Sequence, residues 1–221
     1  MSLRQIRSYV LRQGRTTQAQ KRALEELSSK YAVPFRSETV SAASLFGRTA
    51  PLVIEIGSGM GETTAAIAQA RPDADFIAVE VHGPGVGSLL NRIESLQLHN
   101  LRVIRHDAVE VLQRMIPDAS LAAIHLFFPD PWPKKRHHKR RLVQPDFAAL
   151  AARKLAPGGA LHAATDWPDY ADHMESVFLN EPLLHRAEEG FVQRPATKFE
   201  NRGRRLGHAI RDLYWRRRAG S

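Results

Sequence analysis

From residue 52 onward, short and almost wholly apolar runs alternate with stretches whose apolar residues recur at three- and four-residue spacing. The runs Leu52–Ile56, Phe76–Val81, Leu101–Arg105, Leu121–Phe127 and Ala160–Thr165 predict strands, each apolar on both faces. Between them, Val86, Leu89, Leu90, Ile93 and Leu96 mark one helical face. Phe147, Leu150, Ala151 and Leu155 mark a second, and Tyr170, Met174, Val177 and Phe178 a third. Pro157-Gly158-Gly159 should stop the second helix before the fifth strand. Repeated β-α units with strands of this kind imply an α/β fold: a mostly parallel, twisted sheet with helices on both faces. Ahead of it, residues 1–40 read as a basic N-terminal extension, partly mobile, holding one helix over Gln18–Tyr31. Residues 41–221 read as the single main domain. Ala209–Trp215 returns as a last strand, with Arg216-Arg217-Arg218 fraying beyond it.

The richest junction is where Leu52-Val53-Ile54-Glu55-Ile56 runs into Gly57-Ser58-Gly59-Met60-Gly61. Glycines at the end of a buried strand let a turn present backbone N–H groups, with a helix starting beneath the ligand. A dinucleotide fingerprint needs glycine at the first, third and sixth positions, and the sixth here is Glu62. A carboxylate at that point disfavours a pyrophosphate and tolerates a cationic sulfonium. Glu80, after the second strand, suits two ribose hydroxyls and would repel a 2′-phosphate. Asp107, after the third, either accepts from an adenine amino group or caps the next helix. Glu55 is costly if buried unless a cation or donor meets it. Glu55, Gly57, Gly59, Gly61, Glu80 and Asp107 thus form a candidate S-adenosylmethionine site.

Charge adds a partner. The formal net charge is +9, but the signs are segregated. Residues 1–40 carry eight Lys/Arg against three Asp/Glu, residues 134–141 six against none, and residues 194–221 nine against two. The segments between are acidic. Three basic blocks on an acidic body imply a polyanion large enough to touch them all. An organelle transit peptide shares the composition of residues 1–24, as does a nucleic-acid arm. The absence of cysteine excludes disulfides and thiolate metal sites and fits a reducing, cytoplasmic compartment. No apolar run is long enough for a membrane span. His137-His138 has no third ligand at sensible spacing, so no metal is expected. Monomer and homodimer are both left open.

Phe127-Phe128-Pro129-Asp130-Pro131-Trp132-Pro133 closes the fourth strand, and its three prolines make a stiff lip that can hold Asp130 at a fixed distance from a bound methyl group. Trp132 either stacks on a base or packs beneath the loop. Lys134-Lys135-Arg136-His137-His138-Lys139-Arg140-Arg141 follows at once, as a phosphate-bearing strand delivering a base to that carboxylate would require. Pro195–Leu206 is expected to fold over the cofactor's methionine end and the incoming base.

These residues resemble the bacterial tRNA (guanine-N7)-methyltransferases along nearly the whole chain. The resemblance is carried by Ile54-Glu55-Ile56-Gly57-Ser58-Gly59-Met60-Gly61, Glu80 to Gly87, Phe128-Pro129-Asp130-Pro131-Trp132, Thr165-Asp166-Trp167 and Thr197-Lys198-Phe199-Glu200-Asn201-Arg202-Gly203. The leader Arg7 to Arg15 matches as well. It implies a Rossmann-like class I methyltransferase that modifies a variable-loop guanine, position 46, of tRNA. It also implies cofactor roles for Glu55, Glu80 and Asp107, and a catalytic position for Asp130, which touches the cofactor too. Substrate positions are Lys134, Asp166, Thr197, Lys198, Phe199 and Glu200. The RNA-contacting loop comprises Arg136, His137, His138, Lys139, Arg140 and Arg141. Ser58 stands where many relatives have a larger residue, and Pro133-Lys134-Lys135 is a local variant.

The chemistry agrees. Guanine N7 carries a lone pair and no proton, so the site must supply in-line positioning and tolerance of growing positive charge, without a general base. Three rivals fit less well. A small-molecule methyltransferase leaves the basic blocks idle. An RNA-binding module without transfer leaves Asp130 idle. A nicotinamide oxidoreductase conflicts with Glu62 and Asp107.

Overall fold

The computed structural model describes residues 8, 9, 15–195 and 209–219. Its strands are β1 (Leu52–Ile56), β2 (Asp75–Val79), β3 (Leu101–Ile104), β4 (Leu121–Phe127), β5 (Leu155–Thr165), β6 (Leu184–Arg186) and β7 (Arg211–Arg217). They form one sheet in the order β3-β2-β1-β4-β5-β7-β6. The first five are mutually parallel, and β7 runs antiparallel to both β5 and β6. β1 and β4 match the apolar runs residue for residue because both of their faces are buried.

Eight α-helices accompany the sheet among the described residues: α1 (Gln18–Glu26), α2 (Ser28–Tyr31), α3 (Ala42–Phe46), α4 (Glu62–Ala70), α5 (Gly83–Ser95), α6 (Ala108–Arg114), α7 (Pro145–Lys154) and α8 (Pro168–Leu179). Alternation along each strand sends its residues to opposite faces. Val53, Phe76 and Ala123 meet Ala23 of α1, Ile67 of α4 and Leu89 and Ile93 of α5. Ile54, Ile77, Ile124 and Leu161 meet Leu112 of α6, Phe147 of α7, and Met174 and Phe178 of α8. The sheet is therefore covered on both sides, as its hydrophobic pattern requires.

Five stretches differ from the sequence expectation. The helix expected over Gln18–Tyr31 breaks at Leu27 into α1 and α2, with the Ser28 hydroxyl donating to the Leu24 carbonyl at 2.6 Å. Pro157-Gly158-Gly159 does not separate a helix from a strand. β5 already begins at Leu155, and its pairing to β4 jumps from Leu121–Leu155 to Ala123–Ala160. A bulge takes up the extra residues, with Gly158 at φ +76°. The basic end does not fray after Trp215. Arg216 and Arg217 are strand residues whose guanidinium groups donate to carbonyls of Gly158, Arg153 and Leu155, and Arg218 donates to Pro182. β6 and α3 had no sequence counterpart.

The basic N-terminal stretch contacts the sheet directly. A capping box at Thr17 starts α1, with Gln20 N–H donating to the Thr17 hydroxyl at 3.2 Å and Thr17 N–H to the Gln20 side chain at 2.9 Å. α1 lies on α5 so closely that a Cβ on Gly87 would meet the Gln20 carbonyl oxygen at 2.6 Å. Val33 N–H donates to Val103 O at 2.8 Å beside the outer strand β3, and Phe35 stacks on His106 at 3.7 Å. Residues 18–40 and the body thus share one core.

Candidate active site

The strand order reverses between β1 and β4, and in a sheet of this type the crevice beyond the carboxyl ends of those two strands is where ligands sit. The glycine turn leaves β1 there, and the proline lip leaves β4. A cleft of about 180 Å³ opens between them, lined by Ile56, Gly57, Glu80, Asp107, Phe128 and Asp130 among others. Residues far apart in the chain are gathered because their strands end side by side.

Gly57, Gly59 and Gly61 all have positive φ, at +75°, +57° and +75°, a conformation that side chains resist. They do different work. A Cβ on Gly57 or Gly59 would meet nothing within 4 Å, so both face open space. A Cβ on Gly61 would strike Leu89 of α5 at 2.5 Å, so that glycine serves close packing. The Ser58 hydroxyl oxygen is buried in the same turn with no hydrogen-bond partner among the described residues. An open glycine cradle beside an orphaned buried hydroxyl fits a nucleoside-type ligand with donors and acceptors of its own.

Glu80 follows β2 and is buried. Its two oxygens accept from Gly59 N–H at 2.7 Å and His82 N–H at 2.8 Å. The carboxylate therefore shapes the glycine turn as well as facing the cleft. Gly85 allows this approach, since a Cβ there would lie 2.4 Å from Gly59 O. Asp107 resolves as a helix cap: its Oδ1 accepts from Val109 and Glu110 N–H at 2.8 and 3.2 Å. It also lines the cleft, so the two alternatives left by the sequence are compatible.

Glu55 is 4% exposed, in the middle of β1. Burial raises its carboxyl to about 7. The Thr64 side chain opposes the shift and the charge on Glu80 adds to it. Glu62 departs from expectation. Arg92 donates to it at 2.7 Å, so its charge is offset and cannot by itself exclude a pyrophosphate. The missing sixth glycine stands without that electrostatic argument.

The lip is strained on both sides of Asp130. Phe128 and Trp132 adopt φ +51° and +46°, where bulky residues are outliers. Asp130 between them is exposed. Trp132 is committed to packing: its indole N–H donates to Ser8 O at 3.1 Å, Arg140 lies over its ring at 5.0 Å, and His137 meets it edge-on.

The basic run folds as a 3-10 helix over Lys135–Arg140, with Lys134 at its start. Lys134, Lys135, Arg136 and Lys139 are exposed, and His137, His138 and Arg140 are half-buried. Slight burial and then the cations Arg136, Arg140, Lys134 and Lys139 hold His137 below the usual histidine range. Arg141 departs from the expected RNA contact. Its side chain is 1% exposed, donates to Pro131 O at 2.9 Å, pairs with Asp169 and lies over Tyr170 at 4.8 Å. It braces the lip from beneath and has no surface to offer a phosphate.

Asp166 is half-buried in the turn between β5 and α8. Thr197, Lys198, Phe199 and Glu200, together with most of Pro195–Leu206, lie outside the described residues. Sequence reasoning missed Arg194, Asp212, His162 and His125. His125, His162 and the Arg194 side chain are buried around Phe127, half-buried Asp212 pairs with the last two, and no local spacing connects them. No cluster of three or more candidate metal ligands occurs among the described residues, and no described helix is long and apolar enough to cross a membrane.

Residues 49–213 match a family model described as "Putative methyltransferase". The tRNA (guanine-N(7)-)-methyltransferase of Aromatoleum aromaticum is 57% identical over 221 residues, covering 98% of this chain and 85% of that protein. The enzyme of the same name from Nitrosomonas europaea is 56% identical over 218 residues, covering 97% of each. Among solved structures, the 16S rRNA methyltransferase KamB superposes with a TM-score of 0.58 at 17% identity, over 85% of this chain and 99% of that one. A 16S rRNA (adenine(1408)-N(1))-methyltransferase solved with its cosubstrate SAM gives 0.53 at 15% identity, over 80% and 89%. These likenesses show the class I methyltransferase fold, in which S-adenosylmethionine is the methyl donor. With the glycine cradle, the Glu80 clamp and the aspartate lip meeting at one switch point, the chain belongs to the family of bacterial tRNA (guanine-N7)-methyltransferases.

Proposed function

We propose that this protein methylates N7 of a guanine in the variable loop of tRNA, at position 46, with Asp130 as the residue that holds the base. One observation carries the reading. Asp130 stands on a strained, proline-braced lip that closes the same cleft as the glycine turn, Glu80 and Asp107. A carboxylate held there needs a reason, and an incoming guanine provides one. The substrate named for relatives that match nearly the full chain supports it.

S-adenosylmethionine supplies an electrophilic methyl group when bound. Gly57 and Gly59 leave room for its close approach, Glu80 accepts from ribose hydroxyls, Asp107 faces the adenine end, and Glu55 offsets the cationic end. Asp130 accepts hydrogen bonds from guanine N1–H and the exocyclic amino group, with Asp166 as a second acceptor. This edge-on grip leaves N7 free to attack, and no proton has to be removed from the nucleophile. The two carboxylates also lie close to the positive charge that grows on the purine. Lys134 and the stretch Thr197, Lys198, Phe199 and Glu200 complete the substrate site by resemblance. Arg136, His137, His138, Lys139 and Arg140 meet phosphates, which positions the strand without reading its sequence. A cytoplasmic location is part of the same reading, since tRNA is the proposed partner and the chain has no cysteine to oxidise.

Nucleoside mass spectrometry of tRNA lacking the modification, after incubation with enzyme and S-adenosylmethionine, tests this directly. The expected result is a new 7-methylguanosine peak that maps to the variable loop. Methylation at another atom, or another loop, would contradict it.

A further inference from the structure

Packed against Phe127 and Phe128 is a largely buried polar cluster that the proposed mechanism leaves without a role. Arg194 forks onto Asp212, Nε to Oδ1 at 2.9 Å and Nη2 to Oδ2 at 3.0 Å. Its side chain is 5% exposed. The same Asp212 oxygen meets His162 Nε2 at 2.7 Å, reaching from β7 to the neighbouring strand β5. Both partners of Asp212 press on one place. The Arg194 guanidinium lies over the rings of Phe127 at 5.7 Å and Phe128 at 5.3 Å, and the His162 ring meets Phe127 edge-on at 4.9 Å.

Phe127 ends β4, and Phe128 is the residue forced to φ +51° two positions before Asp130. Its N–H donates to Ala164 O at 2.8 Å, so the backbone is anchored to β5 while the ring is held from above. Burying the Arg194 guanidinium, against a carboxylate that is itself only partly buried, costs more than apolar packing of the same volume would. Strain of the kind seen at Phe128 persists only where the surroundings over-determine it. An Arg fork locked in plane by a bidentate carboxylate is suited to pinning two rings at once, and a lysine is not.

We propose that Arg194, locked by Asp212 and His162, is a positioning residue for methyl transfer: it holds Phe127 and Phe128 so that the lip presents Asp130 to the cleft. It acts through the two phenylalanines. The inference rests on the role given to Asp130 above.

The test compares Arg194→Lys and Asp212→Asn with wild type in three readouts. These are the single-turnover rate of methyl transfer to tRNA, the Kd for S-adenosylmethionine, and amide hydrogen exchange of peptides covering residues 127–133 and 52–56. The expected result is a rate lowered about ten- to a hundredfold with cofactor affinity within about twofold. Exchange should rise in 127–133 and stay unchanged in 52–56. Combining the two substitutions should cost little more than the worse one alone. Wild-type rate in Arg194→Lys would overturn the proposal. So would exchange that rises equally in both peptides, because the cluster would then serve general stability. Should either variant prove too unstable, the other carries the same three readouts. If wild-type enzyme leaves tRNA unmodified, the substrate reading fails. The exchange pattern still decides whether Arg194 holds the lip.

Discussion

Glu80 grips Gly59: the carboxylate just after β2 accepts a hydrogen bond from the amide of the central glycine in the turn after β1, at 2.7 Å. Its other oxygen takes the His82 amide at 2.8 Å. A residue expected from sequence to bind ribose thus also sets the shape of the glycine turn after β1. Glu80→Gln would keep the size but turn an NH₂ group toward one of these two donors. Losing a charge-assisted bond to a buried amide costs roughly 1.5–3 kcal/mol, so cofactor affinity should fall about ten- to a hundredfold. Isothermal titration with S-adenosylmethionine measures this, and a Kd within about twofold of wild type would contradict it.

On the proposed role of Glu55, cofactor binding should depend on pH. Its folded-state value near 7 lies above the unfolded carboxylate range, so the folded protein holds the extra proton between the two. Stability from this group is present below about pH 4.5 and is lost as pH rises to 7. Glu55→Gln should therefore raise the melting temperature of cofactor-free protein at pH 8 and leave it nearly unchanged at pH 4.5. Cofactor binding runs the other way. A cationic ligand favours the ionised carboxylate, so affinity should rise from pH 6 to pH 8 with net proton release, and Glu55→Gln should flatten that rise. A pH-independent wild-type Kd would remove Glu55 from the cationic end of the site.

Gly85 is a steric gate for the turn. An added methyl would lie 2.4 Å from Gly59 O and 3.3 Å from the Glu80 side chain, and the first neighbour is backbone that cannot swing aside. Gly85→Ala should cost about 1–3 kcal/mol in stability and weaken cofactor binding in parallel. Thermal unfolding with and without S-adenosylmethionine would show both. Normal ligand-induced stabilisation in this variant would mean that the turn tolerates displacement.

The exposed cations of the 3-10 helix should appear in the salt dependence of binding. Replacing Lys135, Arg136 and Lys139 together with alanine removes up to three phosphate contacts. Each contact removed should reduce the log–log salt slope of tRNA affinity by roughly 0.7–0.9. Arg141→Ala is the contrast. It should destabilise the protein, because it leaves Asp169 and the Pro131 carbonyl without their partner, while the slope stays the same. Filter binding across a salt series separates the two cases.

Much of this arrangement was legible in the chain because it is local. β1 and β4 read correctly because burial on both faces leaves an unbroken apolar run, and the glycine turn declares itself by composition. What stayed hidden depends on register or on contacts between distant segments. β6 has only three residues, too few to show a period. The bulge at Ala156–Gly159 looks in sequence like a helix stop. Arg141 is indistinguishable by composition from its exposed neighbours, and only folding turns it inward onto Asp169. Glu62 likewise met Arg92 across thirty residues. The Arg194–Asp212–His162 cluster joins three segments spaced by 18 and 50 residues, and no local spacing marks it.

The central claim is that Asp130 holds the guanine and contributes little to cofactor affinity. Single-turnover methyl transfer by Asp130→Asn, measured beside its S-adenosylmethionine Kd, tests it most directly. Amide for carboxylate removes an acceptor and the nearby negative charge while keeping the shape of the lip. The predicted result is a rate reduced by about two to three orders of magnitude with a near-normal cofactor Kd. A rate close to wild type, or a rate loss matched by an equal loss of cofactor affinity, would contradict the account.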